Sequence, residues 1–161
     1  MAAGLVLGID PGLASTGYAV LDGNSRVLGY GCVKTVPGPV GARLLQISGE
    51  LRALVAAHQV GEAALEELFM GRNRTSVIAV AQARGAILAT LEAAGVPAFE
   101  YKPAQVKSVV TGYGAAGKGQ IARMLAAQLH TAERIDEHAA DAVAIGLCHL
   151  RSRRLLAQAR A

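Results

Sequence analysis

Three carboxylates stand where apolar segments begin or end, and that placement constrains the chain more than any other feature. Asp10 closes the run Leu5-Val6-Leu7-Gly8-Ile9 and is followed at once by Pro11-Gly12. Glu66 follows Ala63-Ala64-Leu65, with Glu67 directly after it. Asp141 lies within His138-Ala139-Ala140-Asp141-Ala142-Val143-Ala144-Ile145. Burying a charge costs several kcal/mol unless it is paired or coordinated, so carboxylates beside apolar strands point to a metal. Hard divalent cations such as Mg²⁺ take oxygen ligands.

The 161 residues are most simply one domain spanning 1–161, since a chain of this size can bury roughly 70% of its unfolded surface without staples. A formal net charge of +4 and a pI near 9.4 are compatible with nucleic acid and do not by themselves require it. Cys32 and Cys148 have no CxxC spacing, so neither a disulfide framework nor a zinc site is signalled, and both are expected as reduced core residues of an intracellular, cytoplasmic protein. No stretch reaches ~20 apolar residues, which argues against a membrane-spanning helix. The N-terminus lacks the basic region of a signal peptide.

Leu5 to Asp10 reads as a fully buried strand. Gly17 to Asp22 and Arg26 to Val33 form a hairpin about Asp22-Gly23-Asn24-Ser25. Leu44, Ile47, Leu51, Leu54 and Val55 recur at helical spacing. A short strand ends near Glu66, and Thr75 to Ala94 is helical, closed by Gly95-Val96-Pro97. A short fifth strand (Ala98 to Tyr101), a helix after Pro103, a glycine-rich loop from Gly112 to Gly119 and two further helices complete the chain. Three meandering strands followed by alternating helix and strand imply a mixed α/β sheet covered by helices.

Within that frame a few residues can carry chemistry. Asp10-Pro11-Gly12 also favours a plain turn, but in α/β sheets sites gather at strand ends. Strand alternation sends Glu66 and Glu67 to opposite faces, and spacing alone does not choose between them. His138 and Asp141, three apart on a helix, share a face, with Glu137 a rival ligand. Gly112 to Gly119 matches G-x-x-x-x-G-K but has Gly119 where a P-loop needs Ser or Thr, so it is no nucleotide site; its Lys118 can still grip a nucleic-acid phosphate. Phe69-Met70-Gly71-Arg72-Asn73-Arg74 offers an aromatic for base stacking, with Arg72 and Arg74 for phosphates. The helix from Thr75 to Ala94 is apolar around most of its circumference, as a helix buried on two sides or at a subunit interface would be.

Gly8-Ile9-Asp10-Pro11-Gly12, Thr16-Gly17-Tyr18, Leu65-Glu66-Glu67-Leu68-Phe69-Met70, Gln82-Ala83-Arg84-Gly85, Phe99-Glu100-Tyr101 with Gln105-Val106-Lys107, and Ala139-Ala140-Asp141-Ala142 together resemble the RuvC family of bacterial Holliday-junction resolvases. The resemblance implies a ribonuclease-H-like fold with a mixed five-stranded sheet flanked by helices, and a homodimer. It implies hydrolysis of phosphodiesters in four-way DNA junctions by paired symmetric nicks, with two Mg²⁺ ions (or Mn²⁺) per site, leaving 5′-phosphate and 3′-hydroxyl ends. It assigns Asp10, Glu66 and Asp141 to an acidic site and prefers Glu66 over Glu67. It makes Phe69, Lys107 and Lys118 DNA contacts, and a RuvAB-type branch-migration complex a partner. Many members carry an aspartate where this chain has His138, so His138 is the expected fourth ligand. Two alternatives stand beside this reading. One is a catalytically silent junction-binding protein. The other is a one-lobe actin-like nucleotide-binding protein, since actin-like ATPases share the Gly8–Gly12 type of start.

Overall fold

The computed structural model describes residues 4–68, 74–111 and 135–159, with a few more between 123 and 129. Strands β1 (Leu5–Asp10), β2 (Ser15–Leu21) and β3 (Val27–Lys34) come first. Helix α1 (Val40–His58), strand β4 (Val60–Glu66), helix α2 (Arg74–Ala93) and strand β5 (Ala98–Tyr101) follow. Helices α3 (Pro103–Thr111) and α4 (Glu137–Ala159) complete the described elements. The strands form one sheet in the order β3-β2-β1-β4-β5. The β1–β2 and β2–β3 pairs are antiparallel, as short turns allow. The β1–β4 and β4–β5 pairs are parallel, because α1 and α2 supply the crossovers that parallel neighbours need. The mixed sheet expected from the sequence is the sheet observed.

Helices cover both faces, which is why β1 reads as an unbroken apolar run rather than an alternating one. Leu7, Ile9, Val20, Ala63 and Leu65 pack on one side with Ile47 and Leu51 of α1 and Ala83, Ile87 and Leu91 of α2. Val6, Ala19, Leu21 and Ala64 pack on the other side with α4, through Ala140, Val143, Ile145 and neighbours. The β2–β3 turn is held by Asp22, whose Oδ1 accepts from the N–H groups of Asn24 and Arg26 at 2.8 and 2.9 Å. Gly95, at φ +69°, ends α2 where a side chain would be strained.

By length and composition alone, Thr75–Ala93 of α2 is long and apolar enough to cross a membrane. Its Ala83, Ile87 and Leu91 are fully buried against the sheet, as in the core helix of a globular domain. The outward row of α2 runs through Ile78, Gln82, Gly85 and Ala89, all exposed. Two arginines near the end of α4 tie it back to the sheet and to the β2–β3 turn. Arg154 donates to the Gly23 carbonyl at 2.6 Å, and Arg153 pairs with Glu62. The loop from Gly112 to Gly119 and most of the first of the two further helices, expected over roughly Gln120 to His130, lie outside the described residues.

Candidate active site

The last parallel rung between β1 and β4 joins Ile9 to Leu65, so Asp10 and Glu66 are the next residues on neighbouring strands, which lie ~4.8 Å apart. Pleating decides their direction. Ile9 and Leu65 point to the α1–α2 side. Asp10 and Glu66 therefore point to the α4 side, where Val6 and Ala64 already pack. Glu67 follows at the opposite parity, which gives a geometric basis for separating it from Glu66.

Helix α4 reaches these strand ends because nothing holds it off. A Cβ at Gly17, the partner of Asp10 across β1–β2, would collide with the His138 carbonyl, and one at Gly8 with the Ala142 carbonyl. The helix starts at this level because Asp136 caps it: Asp136 Oδ1 accepts from the His138 N–H at 3.0 Å. His138 Nδ1 then lies 2.8 Å from Asp10 Oδ2. With Asp10 ionised, Nδ1–H donates to it, and a neutral ring carries its lone pair on Nε2. Asp141 follows one turn later on the same helix, half-buried like Asp10 and Glu66.

The backbone under these side chains is pinned. Thr16, fully buried, donates from its hydroxyl to the Gly12 carbonyl at 2.7 Å, which shapes the turn leaving Asp10. Arg84, buried within apolar α2, donates to the Glu66 carbonyl at 2.7 Å and pairs with Glu100 at the end of β5. Arg84 was assigned no role from the sequence, although an arginine in the middle of a helix rich in Ala, Val and Ile was a legible signal. Nearby, Ser15 Oγ and Cys32 Sγ lie 2.7 Å apart. Burial pushes the Cys32 thiol up, against the Ser15 contact, so it stays protonated.

A divalent cation can be tested against this donor set. Asp10, Glu66 and Asp141 supply hard carboxylate oxygens, which suit Mg²⁺ or Mn²⁺, and His138 adds a softer imidazole nitrogen, which suits Mn²⁺ better than Mg²⁺. Among the described residues, however, no three His, Cys, Asp or Glu side chains are gathered closely enough to hold an ion. The residues fit such a cation by donor type and by shared position at the strand ends, without forming a closed cage.

The nucleic-acid candidates are unevenly represented. Lys107 is half-buried on α3 and Arg74 opens α2. Phe69, Arg72 and Lys118 lie outside the described residues, as does the side chain of Arg74.

A family model described as "Crossover junction endodeoxyribonuclease RuvC" matches residues 6–149. The crossover junction endodeoxyribonuclease RuvC of Syntrophomonas wolfei is 46% identical over 156 residues, covering 93% of this chain and 90% of the relative. The structure of Thermus thermophilus RuvC in complex with a Holliday junction substrate superposes with a TM-score of 0.87 at 34% identity, over 95% of this chain and 96% of that one. A yeast mitochondrial Holliday junction resolvase, Ydc2, shares the fold, with a TM-score of 0.69 at 14% identity over 96% of this chain and 82% of that one.

Proposed function

The chain belongs to the RuvC family of crossover junction endodeoxyribonucleases, and from that premise we propose that it resolves four-way DNA junctions with Asp10, Glu66, His138 and Asp141 as its catalytic, metal-holding residues. It is a metal-dependent endonuclease acting on phosphodiester bonds, which sets aside the one-lobe nucleotide-binding alternative. The observation that carries the residue assignment is the contact of His138 with Asp10, directly beside Glu66 at the neighbouring strand end.

Two Mg²⁺ ions, or Mn²⁺, held by these four side chains would polarise the scissile phosphate and acidify the attacking water. His138 orients the Asp10 carboxylate by donating to Oδ2. Arg84 keeps the Glu66 backbone from drifting, which fixes where that carboxylate projects. Phe69 stacks on a base at the junction, while Arg72, Arg74, Lys107 and Lys118 bind phosphates. Cleavage leaves a 5′-phosphate and a 3′-hydroxyl. Metal-dependent nicking of a synthetic four-way junction, with linear duplex spared, tests this reading. A purified sample that binds the junction and never nicks it would make the protein a silent junction binder.

The same proposal includes a cytoplasmic homodimer of single-domain subunits working with a RuvAB-type branch-migration motor, each subunit nicking one of two like strands. The exposed row Ile78, Gln82, Gly85 and Ala89 on α2 supports the dimer surface; Ile78 alone is 59% exposed. A charge at Ala83 would test the core instead, because Ala83 is buried. Gly85 has open space around it, and a helical glycine tolerates substitution. Gly85→Glu should therefore fold, sediment as a monomer and lose paired nicking. A wild-type chain that sediments as a monomer at working concentration refutes the dimer.

A further inference from the structure

A second polar cluster lies inside the same α4–sheet interface, away from the strand ends. His149 of α4 is 1% exposed. Its Nε2 lies 2.9 Å from Glu62 Oε2 on β4, and its Nδ1 lies 2.8 Å from the Tyr101 hydroxyl on β5. Phe99 of β5 packs on the imidazole, with ring centroids 4.8 Å apart. Arg153, one helical turn further along α4, donates to the same Glu62 oxygen as His149. With Glu62 ionised, Nε2–H donates to it and the Tyr101 O–H donates to Nδ1, so every proton in the chain has an acceptor. Burial pushes Glu62 up, but the contacts from His149 and Arg153 outweigh it and hold the carboxyl below its usual range. Burial also pushes the Tyr101 phenol up, which keeps it a donor.

The positions of these groups along their elements are informative. Glu62 and Glu66 share a face of β4 and are separated by ~13 Å of strand, at ~3.3 Å per residue. His149 and Asp141 are separated by about 12 Å of helix, at 1.5 Å per residue. Helix α4 runs antiparallel to β4: its His138 end lies over Gly17 beside Asp10, and its later residues lie over Gly8 and then Glu62. Starting from the Glu62–His149 contact, nearly equal lengths of strand and helix lead to Glu66 and to Asp141.

Close to the strand ends the interface is lined by Gly8, Gly17, Ala139, Ala140 and Ala142, small groups that fix how closely α4 approaches. Further along, Val6 and Leu21 pack with Val143, Ile145 and Leu147, and Leu21 lies against Gly146. This apolar packing is non-directional. A pair of hydrogen bonds on a buried imidazole adds a directional reference along the helix axis.

We propose that Glu62, His149 and Tyr101 form a register clamp that places Asp141 and His138 level with Asp10 and Glu66, making these three residues positioning residues for metal binding and cleavage. This rests on the reading of Asp10, Glu66, His138 and Asp141 as the metal-holding site.

The test separates register from stability. Replacing a buried ionic cluster with apolar residues of similar volume is often neutral or stabilising, whereas removing one member leaves a stranded polar group. The triple variant Glu62→Leu/Tyr101→Phe/His149→Leu should therefore fold with a denaturation midpoint near the parent's, yet bind Mn²⁺ at least about tenfold more weakly. Mn²⁺ binding is read from the free-ion EPR signal in a titration without DNA. Cleavage should fall in step, by about ten- to a hundredfold, since a 1 Å misplacement in an active site can cost ~100-fold. Junction affinity should stay within about twofold, because phosphate contacts supply it. Glu62→Gln keeps the shape and weakens the clamp, so it covers the case in which the triple variant does not fold; it should show a smaller loss of Mn²⁺ affinity in the same direction. Parental Mn²⁺ affinity in a folded triple variant, or in Glu62→Gln if the triple variant does not fold, overturns the clamp. Asp10→Asn run alongside distinguishes the two readings: cleavage persisting there refutes the acidic site, whatever the clamp variants do.

Discussion

Asp10→Asn should lower junction cleavage by at least about a thousandfold while leaving junction affinity and folding close to the parent's. Several kcal/mol of transition-state stabilisation are at stake, and each 1.36 kcal/mol is about tenfold in rate. Asparagine keeps the size of aspartate, and its side-chain oxygen can still accept from His138 Nδ1, so the contact that seats α4 on β1 survives. What disappears is a negative charge at a strand end that also carries Glu66. Affinity should persist because it comes from basic groups meeting phosphates. Cleavage and binding are measured on the same four-way junction, with unfolding followed by circular dichroism. Joint loss of binding and fold would make Asp10 a structural residue and remove the basis of the site assignment.

The second large effect is expected at His138. His138→Ala should cost about a hundredfold in cleavage without loss of fold, because it removes both a nitrogen donor and the hydrogen bond that orients Asp10. His138 is nearly half exposed, its side chain at 45%, so little packing is lost with it. An imidazole shifts preference toward Mn²⁺ relative to an all-carboxylate set. Mn²⁺ should therefore support at least as much cleavage as Mg²⁺ in the parent, and His138→Asp should stay active with the balance moved toward Mg²⁺. An alanine variant with unchanged rate and unchanged metal preference would make His138 a helix-end residue and shift attention to Glu137, which opens α4.

Much of the fold was legible because its local signals agree. The unbroken apolar run ending at Asp10, the Asp22 turn, the helical spacing from Leu44 to Val55 and the Gly95 stop each encode one element, and all nine described elements match a reading of this kind. The pattern of blocks from Gly8 to Ala142 also carried the family, since six short motifs in order are far more specific than any one.

Tertiary structure decided what those patterns leave open. Parity along β4 was readable, but only the packing of α4 against Val6 and Ala64 shows which face the helix covers, and hence that Glu66 rather than Glu67 shares that face with Asp10. The apolar character of α2 gave no way to tell its inner row from its outer one; contact with the sheet makes Ala83 core and leaves Gly85 outward. Arg84, Glu62 and His149 are single polar residues in apolar surroundings, and no spacing rule joins residues 62, 101 and 149. A sequence determines which elements form through interactions between near neighbours along the chain. Which distant charges meet is set by how helix and sheet come to rest on each other, and in this protein that docking combines the apolar packing of α4, the close approach that Gly8 and Gly17 permit, and the buried contacts of His149.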